Sequence, residues 1–262
     1  MKIYVVCDLE GTAGVVDMHQ QCWFDGKGYL QARKLATLEL NALVEGALAG
    51  GATEIHAWDG HGNFPGGLDI ELLHPACKLI MNAGAGGPLG IDRSFDALFL
   101  CGLHGMAGAE RGVLSHSFDP HTAAVWLNDV KIGEIGMCFA HFARYGIPAV
   151  FIAGDWAAGE EAKALAPGIV VAVVKEGLNT VYPPFSAPAV AVSLAPEKAR
   201  AVIREGARQA MGKIGQIAPV HFAPPFVLRT QFLEAKYADE AAKRAGVRRI
   251  DEVTIEAVQD EL

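Results

Sequence analysis

Residues 1–15 read MKIYVVCDLEGTAGV. A short apolar run from Ile3 to Cys7 leads straight into two carboxylates, Asp8 and Glu10, and then into a turn of small residues. Such a run, bounded by a turn signal, predicts a buried strand over Lys2–Cys7. Side chains alternate along a strand, so Asp8 and Glu10 share one direction while Leu9 points into the core. Two negative charges delivered side by side at the end of a buried strand need compensation, because an unpaired charge out of water is costly.

Outward from this strand the pattern repeats. Further strands are expected at Glu54–Trp58, Lys78–Asn82, Ala97–Cys101, Val113–Ser117, Ala149–Ala153 and Ile169–Val174. Between them, Tyr29–Leu48 carries apolar residues at Leu35, Leu38, Ala42 and Leu43 and stops at Gly50-Gly51, which reads as a helix. Ile135–Arg144 and Ala157–Leu165 are shorter helical patterns, each ended by Gly or Pro. This alternation predicts an α/β fold, a mostly parallel sheet sandwiched by helices. TAAVWLNDVKIGE (residues 122–134) differs: it reads as a hairpin turning at Asn128-Asp129 and extending from the sheet. At YPPFSAP (residues 182–188) the chain becomes a proline-rich link. Beyond it a helix over Pro196–Lys213, a strand PFVLRTQFL, a helix ending near Gly246 and a strand through Ile255 suit a smaller C-terminal two-layer α/β domain. The expected division is therefore residues 1–184 and 185–262.

Composition narrows the function. The 262 residues are 51% hydrophobic and 20% charged, with a net charge of −8, which is globular and poor for binding nucleic acid or an anionic membrane. The N-terminal apolar run ends too soon, at Asp8, for a signal peptide, and no uninterrupted apolar stretch reaches the roughly 20 residues of a membrane span. A cytoplasmic protein is expected. Cys7, Cys22, Cys77, Cys101 and Cys138 are scattered and never spaced as CxxC, so neither a disulfide framework nor a thiolate zinc site is assigned.

Ligands of open α/β sheets bind beyond the carboxyl ends of the strands. Here the strand exits are Asp8-Leu9-Glu10, Asp59-Gly60-His61-Gly62-Asn63, Leu103-His104-Gly105 and Asp155. A single His or Asp at such a place is usually a satisfied polar residue or a helix cap, and Asp155 before WAAGEEAKAL fits a cap. Several carboxylates and two imidazoles on one rim require either cations or raised pKa values. Oxygen and nitrogen donors without thiolate suit Zn²⁺, Mn²⁺ or Co²⁺, and one carboxylate bridging two ions is a common two-metal arrangement. Glu134, between two glycines at the start of a helix, is either a further member of this set or a first-turn acidic residue. His116, in GVLSHSF (residues 112–118), has three readings: a metal ligand, a general acid/base, or a core histidine held by a serine. Ser115 and His116 point to opposite faces of the expected strand and so form no local nucleophile pair. His19, His56, His74, His121, His141 and His221 are read as structural or surface residues.

In order and spacing, DLEGTAGV, DGH, GLHGMAG, GVLSHS and NDVKIGEIG resemble the zinc D-aminopeptidase family of the dipeptide-transport-operon type. The motifs run from Met1 to about Lys175. The resemblance implies that Asp8 bridges two zinc ions, that Glu10, His61, His104 and Glu134 are ligands, and that His116 is the catalytic histidine. It further implies two α/β domains and a ring-like homodecamer whose sites face an inner chamber. Gly60 and Gly62 stand where the family often has serines, and Trp156 where a second aspartate is common. The expected activity is a metal-dependent aminopeptidase on short peptides, including D-amino-acid peptides, with Asp59 meeting the substrate amine. A dinuclear phosphoesterase and a non-catalytic, metal-stabilised ligand-binding or assembly protein are the alternatives.

Overall fold

The computed structural model describes residues 1–63, 65–81, 86–179, 183 and 185–262. Lys2–Cys7 forms β1, and its alternation explains why the run reads as continuously apolar. Ile3, Val5 and Cys7 enter the core on one face of a sheet, while Tyr4 and Val6 enter the core on the other. The chain continues through α1 (Tyr29–Ala49), β2 (Glu54–Asp59), β3 (Cys77–Ile80) and β4 (Ala97–Leu103). Next come β5 (Thr122–Leu127), β6 (Val130–Ile132), α2 (Glu134–Ala143), β7 (Ala149–Asp155), α3 (Trp156–Leu165) and β8 (Val170–Gly177). It ends with β9 (Ala191–Ser193), α4 (Pro196–Met211), β10 (Phe226–Phe232), α5 (Ala235–Ala241), β11 (Val247–Arg249) and β12 (Thr254–Gln259).

Among the described residues, one sheet has the order β3-β2-β1-β4-β7-β8-β9 and is parallel except where β9 joins β8. Its two faces are covered by different helices. Leu40 and Leu43 of α1 and Ile203 and Ala207 of α4 pack with Ile3, Val5, Phe99 and Phe151. Phe139 and Phe142 of α2 and Ala158 and Ala162 of α3 pack with Tyr4, Leu98, Leu100 and Ile152. Truncating one of these, such as Leu100→Ala, costs about 2–5 kcal/mol through lost burial and the cavity left behind. Among the described residues no helix is long and apolar enough to cross a membrane.

A second, antiparallel sheet has the order β11-β12-β10-β5-β6. The expected hairpin is β5–β6. Asn128 and Asp129 both take left-handed backbone, φ 50° and 65°, the geometry of a two-residue hairpin turn that matches strand twist. The hairpin does not extend the parallel sheet: Asn128 accepts from Val227 N at 2.8 Å and donates to Ala223 O at 2.6 Å, tying the turn to β10. The expected division near residue 185 falls between β8 and β9, two strands of one sheet. Beyond it, α4 packs on α1 rather than on the second sheet. Asn82 of the expected third strand, and Tyr182 and Pro184 of the proline-rich link, lie outside the described residues.

The expected strand Val113–Ser117 is absent. Arg111 and Leu114 have φ values of 57° and 60°, so the backbone turns repeatedly, and a lone bridge pairs Ser117 with Asp119. The strict alternation invoked for Ser115 and His116 therefore does not apply.

The order of the parallel strands also places the site. From β1 the chain builds outward through β2 and β3 to one edge, and from β4 it builds through β7 and β8 to the other. The switch falls between β1 and β4, where a crevice opens beyond their carboxyl ends. Asp8 N donates to Cys101 O at 2.9 Å and Gly11 N to Gly102 O at 2.7 Å, so the two exits run in close contact. A Cβ on Gly11 would lie 1.9 Å from Leu103 O, and Gly102 has φ 76° with Asp8 O 2.2 Å from its would-be Cβ. Both positions need glycine.

Candidate metal centre

Asp8 and Glu10 follow β1, His61 follows β2, His104 follows β4, and Glu134 opens α2. Strand exits placed Asp8, Glu10, His61 and His104 on one rim, the family resemblance added Glu134, and the fold brings the five together. Leu9 is fully buried, as expected, although β1 ends at Cys7 and Leu9 lies in the bend that follows it.

His61 Nδ1 lies 3.2 Å from Glu10 Oε2 and 3.5 Å from Asp8 Oδ1. Its other nitrogen, Nε2, meets Cys22 O at 2.6 Å, in a short π-helical turn over Met18–Cys22. A carbonyl only accepts, so Nε2 donates to it, and Nδ1 is the nitrogen turned toward the two carboxylates. His104 repeats the arrangement with its nitrogens exchanged. Nδ1 donates to Gly105 O at 2.9 Å, and Nε2 lies 3.3 Å from Asp8 Oδ2 and 3.8 Å from Glu134 Oε2. His104 Nε2 is buried and has no well-aligned hydrogen-bond partner among the described residues. An imidazole whose far N–H is held by a backbone carbonyl, with its other nitrogen left bare among carboxylates, has the donor arrangement of a metal-ligating histidine. The residues present fit a divalent cation.

The electrostatics agree. Asp8, Glu10, His61 and His104 are each less than a tenth exposed. Burial opposes charge on Asp8, yet the imidazoles of His104 and His61 outweigh it and hold the carboxyl well below the usual range. Burial would likewise lower His61 and His104, but Glu10 and Asp8 around the first, and Glu134 and Asp8 around the second, push both well above the ordinary value. In each case the carboxylates demand positive charge at the centre of the cluster.

His116 stands over this cluster. Its ring stacks on that of His104, centroids 4.1 Å apart and planes 14° from parallel, with Phe185 edge-on at 6.0 Å. Nδ1 donates to Leu114 O at 2.9 Å, and Nε2 lies 3.8 Å from Glu134 Oε1. The side chain is 12% exposed and that of Glu134 is 23% exposed, so this side of the cluster is its opening. Glu134 Oε1 also accepts from Phe118 N at 2.8 Å, which joins the His116 loop to α2.

Asp59 is turned elsewhere. Its oxygens accept from Gly67 N at 2.9 Å and Leu68 N at 3.1 Å, so it fixes the loop beyond His61. Asp155 caps α3 through Ala158 N at 2.8 Å, as expected, and its second oxygen takes Val113 N at 2.7 Å, anchoring the His116 loop.

Two buried charges behind the rim escaped the sequence reading. Lys175 of β8 donates to the carbonyls of Glu10 and Val15, tying down the turn that carries Asp8 and Glu10. Burial pulls its pKa down to about 8. A lysine interrupting the valine run of a parallel strand was the available signal. Glu161 of α3 accepts backbone N–H groups from Met106 and Gly133, and burial pushes its pKa up to about 7. In the sequence nothing separates it from its exposed neighbour Glu160.

A phosphoesterase would need a cationic group near the motifs, and Arg111, which follows GLHGMAG, is already engaged. It pairs with Glu176 and lies over the Trp156 ring, 3.9 Å from its centroid. A family model described as D-aminopeptidase matches residues 1–262. A curated D-aminopeptidase of Bacillus subtilis (strain 168) is 31% identical over 204 residues, covering 76% of this chain and 72% of the relative. The solved structure of the Zn-dependent D-aminopeptidase DppA from Bacillus subtilis, described as a self-compartmentalizing protease, superposes with a TM-score of 0.87 at 26% identity. That match covers 100% of this chain and 92% of the other. Rim, fold and full-length match agree against the phosphoesterase and non-catalytic readings: the chain belongs to the D-aminopeptidase family of peptide-bond hydrolases.

Proposed function

We propose that this protein is a zinc-dependent aminopeptidase for short peptides, with two ions held by Asp8, Glu10, His61, His104 and Glu134. The observation that carries the reading is the position of Asp8. Its Oδ1 lies 3.5 Å from one inward-facing imidazole nitrogen and its Oδ2 lies 3.3 Å from another, on residues from different strands. A carboxylate with one oxygen toward each of two donor groups would suit a ligand shared by two cations, which supports the reading. Glu10 and His61 complete one half, and His104 and Glu134 the other. When bound, such a pair polarises a carbonyl and lowers the pKa of a water toward neutrality.

The chain's own residues supply the rest. His116 is held in one tautomer by Leu114 O, which leaves Nε2 free at the open side of the cluster to take a proton and return it to the leaving amine. Phe185 and the stacked His104 limit the rotation of its ring. The carboxylates of the rim, Glu134 at its opening among them, would favour a substrate with a free α-amine, consistent with removal of a first residue. The zinc dependence and self-compartmentalisation of DppA support zinc and a closed homo-oligomer here as well, and the resemblance implies a decamer of subunits.

A second reading of His116 has its own support. Its donor atom lies with those of His104 and Glu134 in a group spanning less than 4.8 Å, so His116 is also placed to be a third ligand of that half. The proposed function is tested by metal content per chain, measured together with hydrolysis of matched D- and L-aminoacyl amides, before and after chelation. Two zinc ions per chain and zinc-dependent release of the amine are expected. A fully active, metal-free protein would refute the proposal. Light scattering on the same sample gives the number of subunits.

A further inference from the structure

Glu161 belongs to none of the groups that face the opening, yet it is buried, at 7% exposure, at the junction of two segments that do. Its Oε2 accepts from Met106 N at 3.1 Å and its Oε1 from Gly133 N at 2.9 Å. Met106 lies two residues beyond His104, on the exit of β4. Gly133 immediately precedes Glu134 and is the N-cap residue of α2, where no side chain of its own segment caps the helix. A single planar carboxylate, projected from α3, thus bonds two backbones far apart in sequence, each carrying one of the two residues that converge on a single half of the rim.

We propose that Glu161 is a positioning residue that sets the separation of His104 and Glu134, and so the affinity of the cation site they share. The inference rests on the two-zinc reading above. Two features favour this role over general packing. First, both oxygens are committed to the two ligand-bearing segments. Second, a carboxylate is the side chain suited to accept from two converging N–H groups. Partners that orient metal ligands typically change affinity by about 10–100-fold when altered.

The test uses the full-length protein, stripped of metal and titrated with zinc against a chromophoric chelator. Glu161→Gln keeps the shape and one acceptor but turns an NH₂ toward the other N–H. Glu160→Gln, one residue away and exposed, is the control. We expect Glu161→Gln to weaken one of the two zinc ions by about 10–100-fold and leave the other at its wild-type affinity. The visible spectrum of the Co²⁺-loaded protein should change, because it reports ligand geometry independently of turnover. Wild-type affinity at both sites with an unchanged Co²⁺ spectrum overturns the inference, as does equal weakening of both ions or a loss of thermal stability alone. A wild-type protein that binds fewer than two zinc ions overturns instead the reading on which the inference rests. Should Glu161→Gln fail to fold, Glu161→Asp, which keeps the charge but shortens the reach, is titrated in its place with the same outcomes.

Discussion

The rings of His104 and His116 lie face to face at 4.1 Å, yet the two residues occupy different environments. His104 is 2% exposed and its free nitrogen is enclosed by Asp8 and Glu134. His116 reaches solvent, and among the described residues its free nitrogen meets Glu134 alone of the carboxylates. The stack therefore pairs an enclosed donor with an accessible one, which is the division expected between a ligand and a proton carrier.

Replacing His116 separates its two readings. For His116→Ala we expect near-normal zinc content and turnover reduced about 100-fold or more, the usual scale of acid/base catalysis. Zinc content and kcat are measured on the same preparation, and loss of one zinc would make His116 a ligand.

Asp8 should be the least replaceable residue of the rim. On the proposed two-ion reading, Asp8→Ala removes the carboxylate shared by both halves and would leave two cations close together with less negative charge between them. The expected result is loss of bound zinc, by elemental analysis, with activity falling to background. Two retained ions and full turnover would end the bridging assignment.

Removing metal should also weaken the fold. The rim gathers buried carboxylates around a common centre, and a ligand that binds only the folded state stabilises it by about 2.7 kcal/mol at one hundred times its Kd. For a chain of this size that corresponds to roughly 5–10 °C in Tm. Chelation should lower Tm by that order at fixed protein concentration, and zinc should restore it. An unchanged Tm would show that the fold does not depend on the ions.

Glu39 offers a pH test away from the rim. On α1, its Oε1 accepts from Ala13 N at 3.0 Å, while Oε2 has no hydrogen-bond partner among the described residues. Burial pushes its pKa from the ordinary 4.5 up to about 7. Between these values the folded protein keeps a proton that the unfolded chain has released, so this group's contribution to stability falls as pH rises through that window. Glu39→Gln removes the titration. Thermal melts from pH 5 to 8 should show the variant gaining on the wild type with rising pH, by up to about 3 kcal/mol at pH 8. A constant difference across the range would mean that Glu39 is ionised throughout.

Much of this protein follows from local pattern. Apolar runs with turn signals marked the parallel strands, and Asn128-Asp129 marked a hairpin whose turn tolerates left-handed backbone. Asp8, Glu10, His61 and His104 were identifiable because strand exits in an open α/β sheet share one edge, and chemistry-bearing residues there are few. The hairpin's partner strand was not legible. An isolated hairpin fits either sheet, and the bonds from Asn128 to Val227 and Ala223 that settle the matter span about a hundred residues.

What the sequence determined by itself is the set of groups offered to the rim, because alternation along a strand and the position of its end depend only on neighbouring residues. What tertiary structure decided is where those groups point and what holds them. It turned Asp59 onto a backbone loop, bent the expected strand around His116, and selected Glu161 over Glu160. Each of those outcomes depends on backbone N–H groups brought close by packing, and no local pattern records which of two similar carboxylates will meet them.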